Sequence, residues 1–85
     1  LNSNPIAKAF GVALRQLRKK NKFTQDQLAI ASGLDRTYIS MLELGQRAPS
    51  LKAIVSISRA MNVPLSQTIE QFEVALQAVE TKDPI

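Results

Sequence analysis

The 85-residue sequence predicts an all-α chain of five helices, the last one extended. Three observations carry this. Apolar residues recur at three- and four-residue spacing, and no stretch alternates as a strand requires. Helix-starting residues (Asn4, Thr24, Asp35 and Ser50) stand just ahead of four of these runs. Gly33, Gly45 and Asn62 stand just past three of them, where a left-handed residue closes a helix. The length fits one domain spanning 1–85.

The first helix begins with Asn4 as cap and Pro5 in its first turn. Ile6, Phe10, Ala13/Leu14 and Leu17 form its apolar stripe, and it runs to about Lys20. Gly11 costs about 1 kcal/mol there relative to alanine, which a close backbone contact would explain. Thr24 and Gln27 then make a T-x-x-Q capping box, with Phe23 and Leu28 placed as its hydrophobic staple. The second helix is Gln25–Ser32, closed by Gly33. Two residues on, Asp35 caps a third helix of about Arg36–Leu44, stapled by Leu34 and Ile39 and ended by Gly45. Ser50 caps the fourth, with Leu51, Ile54, Ile57/Ser58 and Met61 inward. Pro64 opens the fifth, which runs to about Thr81, with Lys82–Ile85 frayed. Leu65, Ile69, Phe72, Leu76 and Val79 follow its 4-3-4-3 seam.

Composition narrows the function. The chain has no cysteine and no histidine. Disulfides, thiolate nucleophiles, zinc fingers and imidazole bases are therefore outside its chemistry. No catalytic, cofactor-binding or metal-ligating constellation is expected, and no enzyme. No apolar run approaches a membrane span, and a reducing cytoplasm suits the composition. Charge is unevenly spread. Up to Arg47 eight cations face three acids, giving +5; from Ala48 onward three face four, giving −1. A basic half that also holds a helical motif favours a polyanionic partner.

The motif is two short helices at a tight corner. Ala29 is the small residue where the helices cross and Gly33 the turn. Leu28, Leu34, Ile39 and Leu42 are the apolar pins. The pattern "LRKK…TQ..LA..SGL.RTYIS..E.G.R.PSL" resembles the Cro/phage-repressor-like (Xre) family of helix-turn-helix DNA-binding proteins. The resemblance covers about Phe10 to Phe72, with the helix-turn-helix at about 25–44, and extends to the controller proteins of restriction–modification systems. It implies five helices, double-stranded DNA as partner, and a third helix that reads the groove.

On that frame Arg36, Thr37, Ser40 and Met41 are the expected base-reading residues. Arg36 suits guanine O6 and N7, and Thr37 a thymine methyl or a hydroxyl contact; a phosphate clamp is the alternative for Arg36. Thr24, Gln25, Tyr38, Gln46, Arg47 and Lys22 are the expected phosphate-binding set. Backbone N–H groups freed at Gly45 add to it. Packing alone is the alternative for Tyr38, and an ordinary surface side chain for Gln25 and Met41. The family resemblance implies that Arg18 and Glu43 form a structural ion pair. The fifth helix extends beyond the family domain, so Phe72, Leu76 and Val79 are expected to form a homodimer interface at about 64–81. A two-fold dimer predicts a palindromic operator.

The expected function is sequence-specific transcription regulation, as repressor or dual regulator, in a bacterial or phage-type, nucleoid-associated setting. Two alternatives remain open: an antitoxin whose C-terminal seam binds a toxin, and the DNA-targeting module of a longer regulator. Polymerase is a further candidate partner.

Overall fold

The Asn4 side chain accepts from the N–H groups of Ile6 and Ala7 at 3.0 and 3.3 Å, and so starts α1, Pro5–Lys20. The computed structural model describes residues 4–82. Four further helices follow: α2 Gln25–Ser32, α3 Arg36–Glu43, α4 Leu51–Ala60 and α5 Leu65–Lys82. No strand occurs among the described residues. α5 continues through Lys82; the remainder of the tail expected to fray lies outside the described residues.

The local signals act as their chemistry requires. Thr24 Oγ1 accepts from Gln27 N at 3.0 Å while Gln27 Oε1 accepts from Thr24 N at 2.9 Å, closing the capping box. Gly33 takes φ +74°, and both its N–H and that of Leu34 donate to Ala29 O. Ser50 Oγ accepts from Ala53 N at 3.0 Å. Asp35 departs from expectation. It has N-cap dihedrals, yet its carboxylate makes no capping bond. The first turn of α3 therefore keeps its N–H groups free of a side-chain cap.

Packing runs α1 against α5 and α3, α2 against α3 and α4, and α4 against α5. Phe10, Leu14, Leu17, Leu28, Ala29, Ile39, Leu42, Ile57 and Met61 form the main core. Gly11 is buried where α1 meets the end of α3: an added Cβ would lie 2.5 Å from Leu42 O and 2.7 Å from Glu43 O. Ser58 and Thr68 are the buried polar pair between α4 and α5. The single Ser58 proton serves the Ile54 carbonyl at 2.8 Å, so Thr68 donates to Ser58 Oγ across 2.7 Å.

The apolar stripes of α1 and α4 face the core as expected except at their first residues, Ile6 and Leu51, which are exposed. The α5 stripe is rotated: Leu65 and Ile69, placed on its seam, stay 41 % and 40 % exposed. The reason is close approach of α1 and α5 through small side chains. Ala9, Ala13 and Ala75 form a buried cluster, with Phe72, Leu76 and Val79 packed against it. Small residues let the helix backbones come together, so the alanine line turns inward and the Leu65/Ile69 edge turns out. Phe10 and Phe72 meet beside it at 6.2 Å between centroids and 57° between planes. The far half of the seam is thus already covered by α1. The apolar surface past Phe72, at Leu76 and Val79, is half-buried within the monomer rather than left unsatisfied.

Candidate nucleic-acid interface

The corner between α2 and α3 is held from inside. Leu28, Ile39 and Leu42 are fully buried, Ala29 sits in the same cluster, and Leu34 packs on it half-buried. Burying Ile39 and Leu42 fixes the roll of α3. Residues on the side of the helix away from Ile39 and Leu42 then face outward. Arg36 and Thr37 are exposed at the start of α3, and Ser40 and Met41 follow one turn later, half-buried. All four expected base-reading residues thus share the outer side of one helix.

Behind that face lies a buried ion pair. Arg18 Nε contacts Glu43 Oε2, and Arg18 Nη2 donates to Glu43 Oε1 at 3.0 Å. Arg18 Nη1 donates to Phe23 O at 2.9 Å. The two side chains are 11 % and 2 % exposed. The hydrogen-bonded Glu43 carboxylate raises the Arg18 pKa above its ordinary value, against the opposing effect of burial. Three elements are joined here: the end of α1, the α1–α2 turn and the end of α3.

Gln25 belongs to the same network. Its Nε2 donates to Glu43 Oε1 at 3.0 Å. One amide hydrogen is therefore committed inside the protein, and the other remains for an outer ligand. Thr24 Oγ1 accepts the capping bond and keeps its own proton to donate. Lys22 is exposed in the α1–α2 turn at φ +63°. Tyr38 is half-buried, its hydroxyl accepting from Ser50 N at 3.4 Å and its ring lying 5.2 Å from Arg47 Cζ. The phenol proton is still free to donate outward. Gln46 and Arg47 are exposed beside it.

One expectation fails. The N–H groups at Gly45 are not free for a phosphate: Gly45 N donates to Leu42 O at 3.1 Å and Gln46 N to Met41 O at 2.9 Å. The left-handed Gly45, φ +73°, lets the chain fold back to satisfy the last carbonyls of α3. In this loop an anion is left the side chains of Gln46 and Arg47 and the backbone N–H groups beyond Gln46.

Besides Gln25–Glu43, two further contacts around this face were not legible in the sequence. Arg36 Nε lies 2.9 Å from Asp26 Oδ1, an exposed ion pair between α3 and α2. Arg47 stacks over Tyr38. Both join residues from different elements, and no local signal marks them. Among the described residues no group of three or more potential metal ligands comes together, and no helix is long and apolar enough to cross a membrane.

The helix-turn-helix family pattern matches residues 14–67, well over half of the chain. The chain belongs to the helix-turn-helix family. It is 38 % identical to the control protein C.MunI of Mycoplasma sp over 82 % of this chain and 96 % of that protein. It is 44 % identical to the control protein C.BamHI of Bacillus amyloliquefaciens over 72 % of this chain and 76 % of that one. Its fold superposes on the restriction–modification controller protein C.Esp1396I with a TM-score of 0.78 at 26 % identity, covering 85 % and 95 % of the two chains. That protein was solved as a tetramer in complex with its natural 35 base-pair operator. The matched span contains the whole corner, the Arg18–Glu43 pair and the Tyr38–Arg47 stack.

Proposed function

We propose that this helix-turn-helix protein is a sequence-specific regulator of transcription that binds double-stranded DNA as a homodimer and acts by occupying a palindromic operator. It works by binding, without catalysis, in the bacterial or phage-type cytoplasm and at the nucleoid. The observation that carries this is the outer side of α3. Arg36, Thr37, Ser40 and Met41 stand together on a helix whose roll is fixed by a buried core and a buried ion pair. A reading helix needs that rigidity, because base-edge hydrogen bonds tolerate little misplacement. Thr24, Gln25, Lys22, Tyr38, Gln46 and Arg47 border the face as phosphate donors. The operator complex of C.Esp1396I and the control-protein relatives support the same reading.

The helix-turn-helix at about 25–44 and the α5 segment at about 64–81 divide the work between reading and dimerisation. α1 covers much of Phe72, Leu76 and Val79, so their contribution to a dimer comes from their outer edges. Leu65 and Ile69, which line a shallow groove with Ser66, Glu70 and Glu73, continue that surface along α5.

The test is selection from a random duplex library at about 150 mM salt, where nonspecific phosphate binding is weakened. Enrichment of a palindrome with half-sites about one helical turn, ~34 Å, apart supports the reading. Absence of any enriched sequence overturns it.

A further inference from the structure

Asp26 is out of place on a surface meant for DNA. It is exposed, it lies in the first turn of α2, and it faces a helix that carries the base-reading side chains. Of the other acids before Arg47, Glu43 is buried against Arg18, and Asp35 is exposed at the N-cap position of α3 without a capping bond; Asp26 is the one that pairs with an expected base-reading side chain. The Asp26–Arg36 pair adds little to folding. Its side chains are 73 % and 61 % exposed, and such pairs contribute about 0–1 kcal/mol at most.

We propose that Asp26 is a specificity-determining residue that positions Arg36, a role that rests on the DNA-reading function proposed above. The contact is made through Arg36 Nε at 2.9 Å. It leaves the two terminal amino groups of the guanidinium for a bidentate partner. The fork is tethered across the corner before DNA arrives, so less rotamer freedom is lost on binding. The carboxylate also selects between ligands. A phosphate brought to Arg36 meets the Asp26 charge and is repelled. The O6 and N7 acceptors of guanine are uncharged and are not. Asp26 thus trades some general affinity for sequence preference by making Arg36 a poor phosphate clamp and a better base reader.

The experiment is library selection on the full chain with the wild type, Asp26→Asn, Asp26→Glu, Arg36→Ala and the double variant Asp26→Asn/Arg36→Ala. Anisotropy titration on the winning duplex and on a scrambled one follows. The wild type is expected to prefer guanine at one position of each half-site, and Arg36→Ala to lose that preference. Asp26→Asn should weaken the same preference about 5–10-fold, part of the discrimination a bidentate arginine supplies. It should also bind scrambled DNA about 2–5-fold more tightly, with a steeper salt dependence. Asp26→Glu should recover the preference. A role for Asp26 confined to the α2 dipole would lower the melting temperature of Asp26→Asn and leave the base preference unmoved.

Four results overturn the proposal. One is an Asp26→Asn variant whose preference at the Arg36-dependent guanine equals that of the wild type. Another is an Arg36→Ala variant with an unchanged site. A third is a loss of preference from Asp26→Asn that persists undiminished in the Arg36→Ala background, which makes Asp26 a reader in its own right. The last is a wild type that enriches no sequence; this removes the DNA-reading function itself and is recognised by failing before any variant is compared.

Discussion

Replacing Glu43 with alanine is the sharpest test of how the reading helix is held. The Glu43 carboxylate accepts from Arg18 Nε, Arg18 Nη2 and Gln25 Nε2. Its own side chain is 2 % exposed and that of Arg18 is 11 % exposed. The substitution leaves a largely buried guanidinium with one remaining acceptor, Phe23 O. Removing one partner of a buried pair costs about 3–5 kcal/mol. The lower end, about 3 kcal/mol, applies here, because Arg18 keeps that acceptor and has a short path to water. For a domain of this size about 3 kcal/mol corresponds to a fall in Tm of about 12–24 °C. Circular dichroism melts, with urea titrations for the free energy, read it directly. A companion variant isolates the cause: Arg18→Met with Glu43→Leu removes both charges and keeps apolar volume, and should restore most of the loss. A fall of less than about 4 °C for Glu43→Ala, roughly 1 kcal/mol, would refute the reasoning. So would a double variant as unstable as the single one.

Other substitutions probe neighbouring features. Gly11→Ala should destabilise by about 1–3 kcal/mol in urea titrations although alanine is the better helix former, because its Cβ would press on the Leu42 and Glu43 carbonyls; a stabilised variant would mean that α1 and α3 separate easily. Arg36→Ala should leave the unfolding free energy within about 1 kcal/mol of the wild type in urea titrations, as loss of an exposed pair implies. The same change should weaken binding to the selected duplex by about 1–3 kcal/mol in anisotropy. Leu76→Glu places a charge against the Ala9, Ala13 and Ala75 cluster, so melts should show a loss of stability, about 2 kcal/mol or more. Ile69→Glu alters an exposed position and should lower dimer mass in sedimentation while leaving Tm nearly unchanged; equal melts for the two variants would contradict the packing of α5 on α1.

The sequence by itself determined the number of helices, their ends and the corner between α2 and α3. These depend on residues within about four positions of one another. Asn4, Thr24 with Gln27, and Ser50 cap their own first turns, and Gly33 closes the turn it stands in. The bonding around Gly45 was equally local, since Gln46 N reaches back only to Met41 O; a glycine at that place implied those N–H groups were already used. Only the tertiary structure decided which side of α5 is buried. Periodicity ranks residues by apolarity, whereas the close approach of α5 to α1 is set by the small size of Ala9, Ala13 and Ala75. It also decided which charges meet. Arg18 lies 25 positions from Glu43, and the family resemblance, not spacing, suggested that pair. Asp26–Arg36, Gln25–Glu43 and Tyr38–Arg47 had no such guide. Side-chain contacts across helices follow from the roll and crossing of each element, and those are fixed only once the whole core has packed.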